Sequence, residues 1–229
     1  MLNHTTYHTR RSLAVFAAFL TLVSLLSPAV GAQEAGDWRL RHDDDGIRVS
    51  VRSVPGTRFR AYRAEITLSA RLQTLAAIID DVDLAEEWVH YTADAELIRR
   101  IDAQTTLVRF ISDLPWPASD RDSVTLNRLS QDPDTLVVRY TIDSMPDEVP
   151  EDDRYVRVPA LNGFWEITPR GDGTVDVVYS IQSDPGGSIP ASIVNAGIVT
   201  QPFRTLQNLR ELVDDPRYRN ISVPGIREP

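Results

Sequence analysis

Beyond its first 32 residues the chain has two histidines, His42 and His90, and several close acidic pairs (Asp80/Asp81, Asp120/Asp122, Asp152/Asp153). These are the side chains that would make or break bonds. His42 borders the acidic run Asp43-Asp44-Asp45, and His90 follows Trp88-Val89. The two lie far apart, with no ligand spacing between them, so no metal site is expected. The acidic run lacks the spacing of a calcium loop and reads as a solvated turn. No G-x-S-x-G nucleophile elbow occurs. The composition has no Cys, and all 24 basic residues are Arg. Thiolate nucleophiles, Cys-ligated zinc, disulfides and lysine Schiff bases are therefore excluded. The acidic pairs read as loop residues, and no cofactor is expected.

One stretch stands apart. In "DLPWPASDRD" (Asp113 to Asp122), Pro115 and Pro117 stiffen the backbone on either side of Trp116 and remove two donors. A large aromatic on a stiff loop between strands is a binding feature more than a packing one. Arg121 comes next, flanked by Asp120 and Asp122, which are the partners a half-buried guanidinium needs. That combination suits recognition of a ligand better than chemistry on a bond.

Several kinds of element must position these residues. Arg10-Arg11, the apolar run Leu13 to Leu26 and the small residues Val30-Gly31-Ala32 compose a signal peptide, cleaved before Gln33. An uncleaved anchor is the alternative, although the apolar run falls short of the ~20 residues of a membrane span. "TRRSL" also resembles a twin-arginine signal. The expected product is exported, periplasmic or secreted. The net charge of −9 becomes two units more negative on cleavage, which disfavours nucleic acid as a partner. The mature chain reads as one domain (33–213) with a mobile tail (214–229).

Asp-Gly at 45–46 marks a tight hairpin, and "IRVSVR" alternates cleanly after it. Ser69 reads as the N-cap of a helix carrying Leu72, Leu75, Ala76 and Ile79 at helical spacing, with a short helix or turn "DLAEEW" beyond. Strand-like segments then recur through 95–184, joined by hairpin-length breaks such as Gly171-Asp172-Gly173. That pattern predicts an antiparallel sheet. One amphipathic helix is expected over 190–213, kinked at Pro202, with Gly197 and Pro202 as a hinge. The fold class is α+β, a curved antiparallel sheet around a long C-terminal helix.

"PWPASDRD", then "DPGGSIPASIVN", then "FRTLQNLREL", in this order, resemble the START family of lipid-transfer domains related to steroidogenic acute regulatory protein, over about residues 37–213. Ser123 stands where the family usually has an aromatic after Arg-Asp. The resemblance implies a helix-grip (Bet v 1-like) fold with a hydrophobic tunnel, gated by the 113–122 loop and the C-terminal helix. It implies non-catalytic binding, and transfer, of a lipid or other hydrophobic small molecule by a monomer in transient contact with a membrane. The expected walls are Trp88, Phe110, Trp116, Tyr140, Phe164, Trp165, Ile198, Val199 and Pro202, with Arg109, Arg121 and Asn195 as polar anchors. A cyclase- or aromatase-like enzyme using the same cavity is one alternative. A partner-binding module with a filled core is another.

Overall fold

A computed structural model describes residues 36–116 and 118–229; residues 1–35, where the expected signal peptide falls, and Pro117 lie outside the described residues. The strands are β1 (Arg39–Asp44), β2 (Ile47–Ser53), β3 (Arg60–Ser69), β4 (Thr92–Arg100), β5 (Thr105–Ser112), β6 (Arg121–Gln131), β7 (Val138–Ser144), β8 (Val156–Arg157), β9 (Ala160–Pro169) and β10 (Thr174–Asp184). They form one sheet in the order β1-β2-β3-β10-β9-β7-β6-β5-β4, antiparallel throughout, except that β8 runs parallel to the start of β6. The β1–β2 turn is made by Asp45 and Gly46, both at positive φ, as a two-residue hairpin requires.

Among the described residues, four α-helices complete the fold: α1 (Leu72–Asp80), α2 (Ala85–Trp88), α3 (Ala191–Gly197) and α4 (Thr200–Leu212). Helix α1 buries seven of its nine residues and belongs to the core. Its N-terminus is not capped by Ser69, which ends β3. The carboxylate of Glu228 accepts the backbone N–H groups of Leu72 and Gln73, each at 3.0 Å.

The C-terminal helix is also not continuous. It breaks at Ile198–Val199 instead of kinking at Pro202. Proline lacks the N–H that would reach the carbonyl four residues back, and its ring crowds that carbonyl. Four residues before Pro202 is Ile198, the C-cap of α3. Pro202 itself sits in the first turn of α4, where its N–H is not needed.

The tail is packed rather than free. Tyr218 and Ile226 are buried in the core, and the Tyr218 hydroxyl donates to Asp81 at 2.6 Å. Arg227 and Gln131 exchange two hydrogen bonds, at 2.7 and 2.8 Å.

Cross-strand register sorts the sheet into two faces. Leu129, Tyr140, Trp165, Tyr179 and Ala64 face one another in a row across β6, β7, β9, β10 and β3. The next row holds Asn127, Ile142, Gly163, Ile181 and Tyr62. A side chain at Gly163 would collide with Ile181, its Cβ landing 2.2 Å from Cδ1, so the close approach of β9 and β10 requires glycine here.

Candidate functional site: a cavity between sheet and C-terminal helices

Between this face of the sheet and helices α2 and α3 lies a cavity of about 790 Å³. Its floor is aromatic because register aligns one inward ring from each of three adjacent strands, Tyr140 of β7, Trp165 of β9 and Tyr179 of β10. Trp165 stacks flat on Tyr179 (3.8 Å, 7°). Trp88 leans on Trp165 at 5.5 Å, and Tyr62 meets Tyr179 edge-on at 5.4 Å. Burial drives the phenol pKa values of Tyr62, Tyr140 and Tyr179 upward, so all three stay neutral donors. Ile142, Leu161 and Ile181 fill out the walls, and Ile193, Val194 and Ile198 close the helical side.

One wall is different. On β6 the residues facing the cavity are Arg121, Ser123, Thr125 and Asn127, all buried. Alternation alone would have put such a polar stripe in water. It faces inward because the opposite face of β6, carrying Asp122 and Val124, is covered by the segment running from Met145 to Val158. Side chains of that segment lie on this face: Arg157 bonds Asp122 at 2.9 and 3.0 Å, and Asp152 reaches Arg109 at 3.6 Å. Among the described residues, Thr125 Oγ1, Asn127 Oδ1, Trp88 Nε1 and Gln201 Oε1 are buried without a hydrogen-bond partner. All four belong to residues of the cavity wall. A buried polar atom without a partner costs about 1–3 kcal/mol, so the cavity presents unmet hydrogen-bonding capacity.

The mouth lies between the 113–120 loop and α3. Leu114, Pro115 and Trp116 of the loop and Ile193 of α3 line it. Trp116 is 92% exposed.

Of the twelve residues expected at the site, Trp88, Phe110, Trp116, Arg121, Tyr140, Trp165 and Ile198 line the cavity. Five do not. Phe164 points to the other face of β9, where Arg139 covers its ring at 4.0 Å. Arg109 likewise leaves the cavity to Phe110, donates from Nε to Asp122 (3.1 Å) and sets Nη2 in ion-pair contact with the same carboxylate (2.9 Å). Asn195 accepts from Arg60 N–H at 3.2 Å and donates to the Arg58 carbonyl, clamping α3 to β3. Val199 and Pro202 pack into the protein around the α3–α4 break. Sequence reasoning missed Tyr62 and Tyr179, whose alternation in β3 and β10 was a usable signal. It also missed Ser123, Thr125 and Asn127, for which hydrophobic patterning offered no signal.

Asp122 is a buried ionic centre behind this wall. Arg157 binds it with Nε at 3.0 Å and Nη2 at 2.9 Å, opposite Arg109. Burial alone would raise the carboxyl pKa, but the hydrogen bonds and charges of Arg157 and Arg109 outweigh it and hold the group below its usual 3.8. Of the two histidines among the described residues, His42 is edge-on to Phe203 at 4.4 Å, and His90 lies tilted against Tyr91 at 4.1 Å, with the His90 and Tyr91 rings both in the cavity wall. Among the described residues no cluster of His, Asp and Glu is placed to hold a metal ion.

Comparison with known proteins agrees with this architecture. The START domain model matches residues 29–215. An uncharacterised protein of Pseudomonas aeruginosa is 33% identical over 193 residues, covering 84% of this chain and 95% of that one. A crystal structure of a STAR-related lipid transfer protein from Xanthomonas axonopodis (fragment 25–204) superposes with a TM-score of 0.72 at 32% identity. It covers 77% of this chain and 98% of that one. Human STARD10 shares the fold at 18% identity with a TM-score of 0.67, over 79% of this chain and 74% of its own. Sheet, broken C-terminal helix and family match coincide over almost all the described residues: the chain belongs to the START domain family.

Proposed function

We propose that the protein binds a lipid or other hydrophobic small molecule non-covalently in the cavity and transfers it between membranes. The observation that carries this reading is the cavity of about 790 Å³ with its stacked aromatic floor and aliphatic walls. Such a chamber favours desolvation. A ligand burying on the order of 300 Å² of apolar surface gains roughly 7 kcal/mol before the costs of ordering it. The mouth supports exchange at a membrane, since Trp116 holds its ring in solvent next to Pro115, and Ile193 of the same lining is 39% exposed. An amphipathic aromatic at such a rim suits a lipid interface.

In this proposal the protein is exported, acts as a monomer and carries out no bond chemistry. Opening of the 113–120 loop and α3 limits the rate of exchange. The α3–α4 break uncouples α3, whose polar hold on the sheet is the Asn195 pair of bonds, from α4, which is anchored by buried Leu206 and Leu209 and by Arg210 on the Asp45 carbonyl.

Native mass spectrometry of the purified mature protein, followed by lipid extraction, tests binding. A stoichiometric adduct of lipid mass supports a carrier. A bare protein that ignores a panel of phospholipids, sterols and fatty acids overturns it. Transfer of a fluorescent lipid between vesicles then reads the gate: Trp116→Ala is expected to slow transfer several-fold while leaving Tm unchanged.

A further inference from the structure

Arg121 is the outermost rung of the polar wall of β6, and it is 4% exposed. A buried guanidinium is tolerable when a carboxylate neutralises it and its five N–H groups are accepted. Just behind it, Asp122 meets that requirement for both Arg109 and Arg157, and Arg157 also reaches the carbonyls of Val149 and Pro150 at 3.0 Å each. Arg121 has no such partner. Its Nε donates to the Pro185 carbonyl at 3.3 Å and its Nη1 to that of Ser119. Among the described residues no carboxylate lies within ion-pair distance of it, the neighbouring Asp120 included.

The space before Nη2 is kept clear. Among the described residues Nη2 has no hydrogen-bond partner, the two bonds being those of Nε and Nη1, and Gly187, at positive φ, leaves bare the position 3.9 Å from Nη2 that a Cβ would take. The other charges of the cavity do not compensate. Asp81 is taken by the Tyr218 hydroxyl at 2.6 Å, and Arg60 adds a further positive charge. An apolar chamber thus carries, at its mouth, one desolvated cation with a free donor edge.

We infer that Arg121 receives the anionic head of the ligand, so that the cavity selects an acidic amphiphile, with a carboxylate or phosphate at the mouth and the apolar body inside. This rests on the hydrophobic-ligand reading above and narrows it. A neutral ligand of the same body leaves the guanidinium buried and unpaired, whereas an anion gains charge-assisted, bidentate hydrogen bonds to it.

The test is calorimetric titration of the mature protein with three probes sharing one sixteen-carbon chain below their micelle thresholds: hexadecanoate, hexadecyl phosphate and hexadecanol. Wild type is expected to bind at least one anion ten-fold or more tighter than the alcohol, and the preferred anion separates carboxylate from phosphate recognition. Arg121→Gln is expected to abolish that preference while keeping alcohol affinity, and Arg121→Lys to retain part of it. Unchanged alcohol affinity in the variant reports that the cavity is intact. Equal binding of anions and alcohol by wild type, or a preference that survives Arg121→Gln, overturns the inference and leaves hydrophobic binding standing. A parallel fall of all three affinities in both variants also overturns it, because Arg121 then acts only as a staple between loops. Failure of wild type to bind any probe overturns both readings.

Discussion

Asp122 and Thr125 sit three residues apart on β6, one on each face, and they make opposite demands on stability. Asp122 is 1% exposed at its side chain and holds two guanidinium groups. Asp122→Asn leaves Arg109 and Arg157 buried without their shared charge, and should cost about 3–5 kcal/mol in urea denaturation. The same ion centre sets a pH dependence. The folded pKa of Asp122 lies below its ordinary value of 3.8. Its contribution is therefore complete above about pH 5 and is lost as pH falls through the folded value. In wild type the urea midpoint should fall steeply below pH 4, and the fall should be shallower in Asp122→Asn. Thr125 is the reverse case. Its Oγ1 is buried against the cavity with no partner among the described residues. Thr125→Val removes an unsatisfied hydroxyl at nearly constant shape, and is expected to raise the stability of the ligand-free protein by about 1 kcal/mol. It should also weaken binding of any ligand bearing oxygen along that wall. A midpoint that falls would show that the hydroxyl is satisfied in solution. Polar groups kept in a cavity at the expense of stability are the mark of a binding site.

At the scale of elements, the break between α3 and α4 follows from one residue acting at a distance of four. In Pro202→Ala the new N–H can reach the Ile198 carbonyl and join the two helices. Amide exchange at positions 198–203 should then slow, and lipid transfer with it; exchange rates unchanged from wild type would show that the break has another cause. This break is also where sequence reasoning reached its limit. Pro202 is visible in the chain, but whether it kinks a helix in place or ends the one before it depends on what α4 packs against. The hairpin at Asp45-Gly46 was fully legible, because a two-residue turn imposes positive φ on both residues and few pairs accept it. The parity of β5 and β9 was not legible. In β9, Phe164 and Trp165 offer an aromatic on either choice of face, and in β5 either Phe110 as a wall or Arg109 as a polar anchor could face a cavity. The choice is made by register, with Trp165 opposite Tyr140 and Tyr179. The inward polar wall of β6 contradicts simple patterning, since it depends on the 145–158 segment covering the outer face. Local rules read turns and periods, while the cavity is a property of strands brought together from distant parts of the chain.

Over the whole molecule, the C-terminal strap ties together parts that are remote in sequence. The START match ends at residue 215, yet the chain continues back across the fold. Tyr218 and Ile226 enter the core at 3% and 6% exposure, and Glu228 closes the N-terminus of α1. Helix α1 has no cap of its own, so its first N–H groups depend on that carboxylate. Burial of each of the two side chains is worth roughly 1.5–3 kcal/mol, and a capping contact about 1 kcal/mol. Ending the chain after Asp215 should therefore lower stability by several kcal/mol. Glu228→Ala alone should lower it by about 1 kcal/mol, as read from urea midpoints at constant slope. The strap also touches the wall of the binding chamber, because Tyr218 holds Asp81, and Asp81 is part of the cavity wall. Truncation would release this carboxylate toward the ligand space. It should then weaken binding of an anionic amphiphile more than binding of the matching alcohol, while Glu228→Ala, which leaves Tyr218 in place, should lower stability without changing that ratio. Equal losses for both ligands in the truncated protein would show that the strap supports the fold alone and has no electrostatic part in the site.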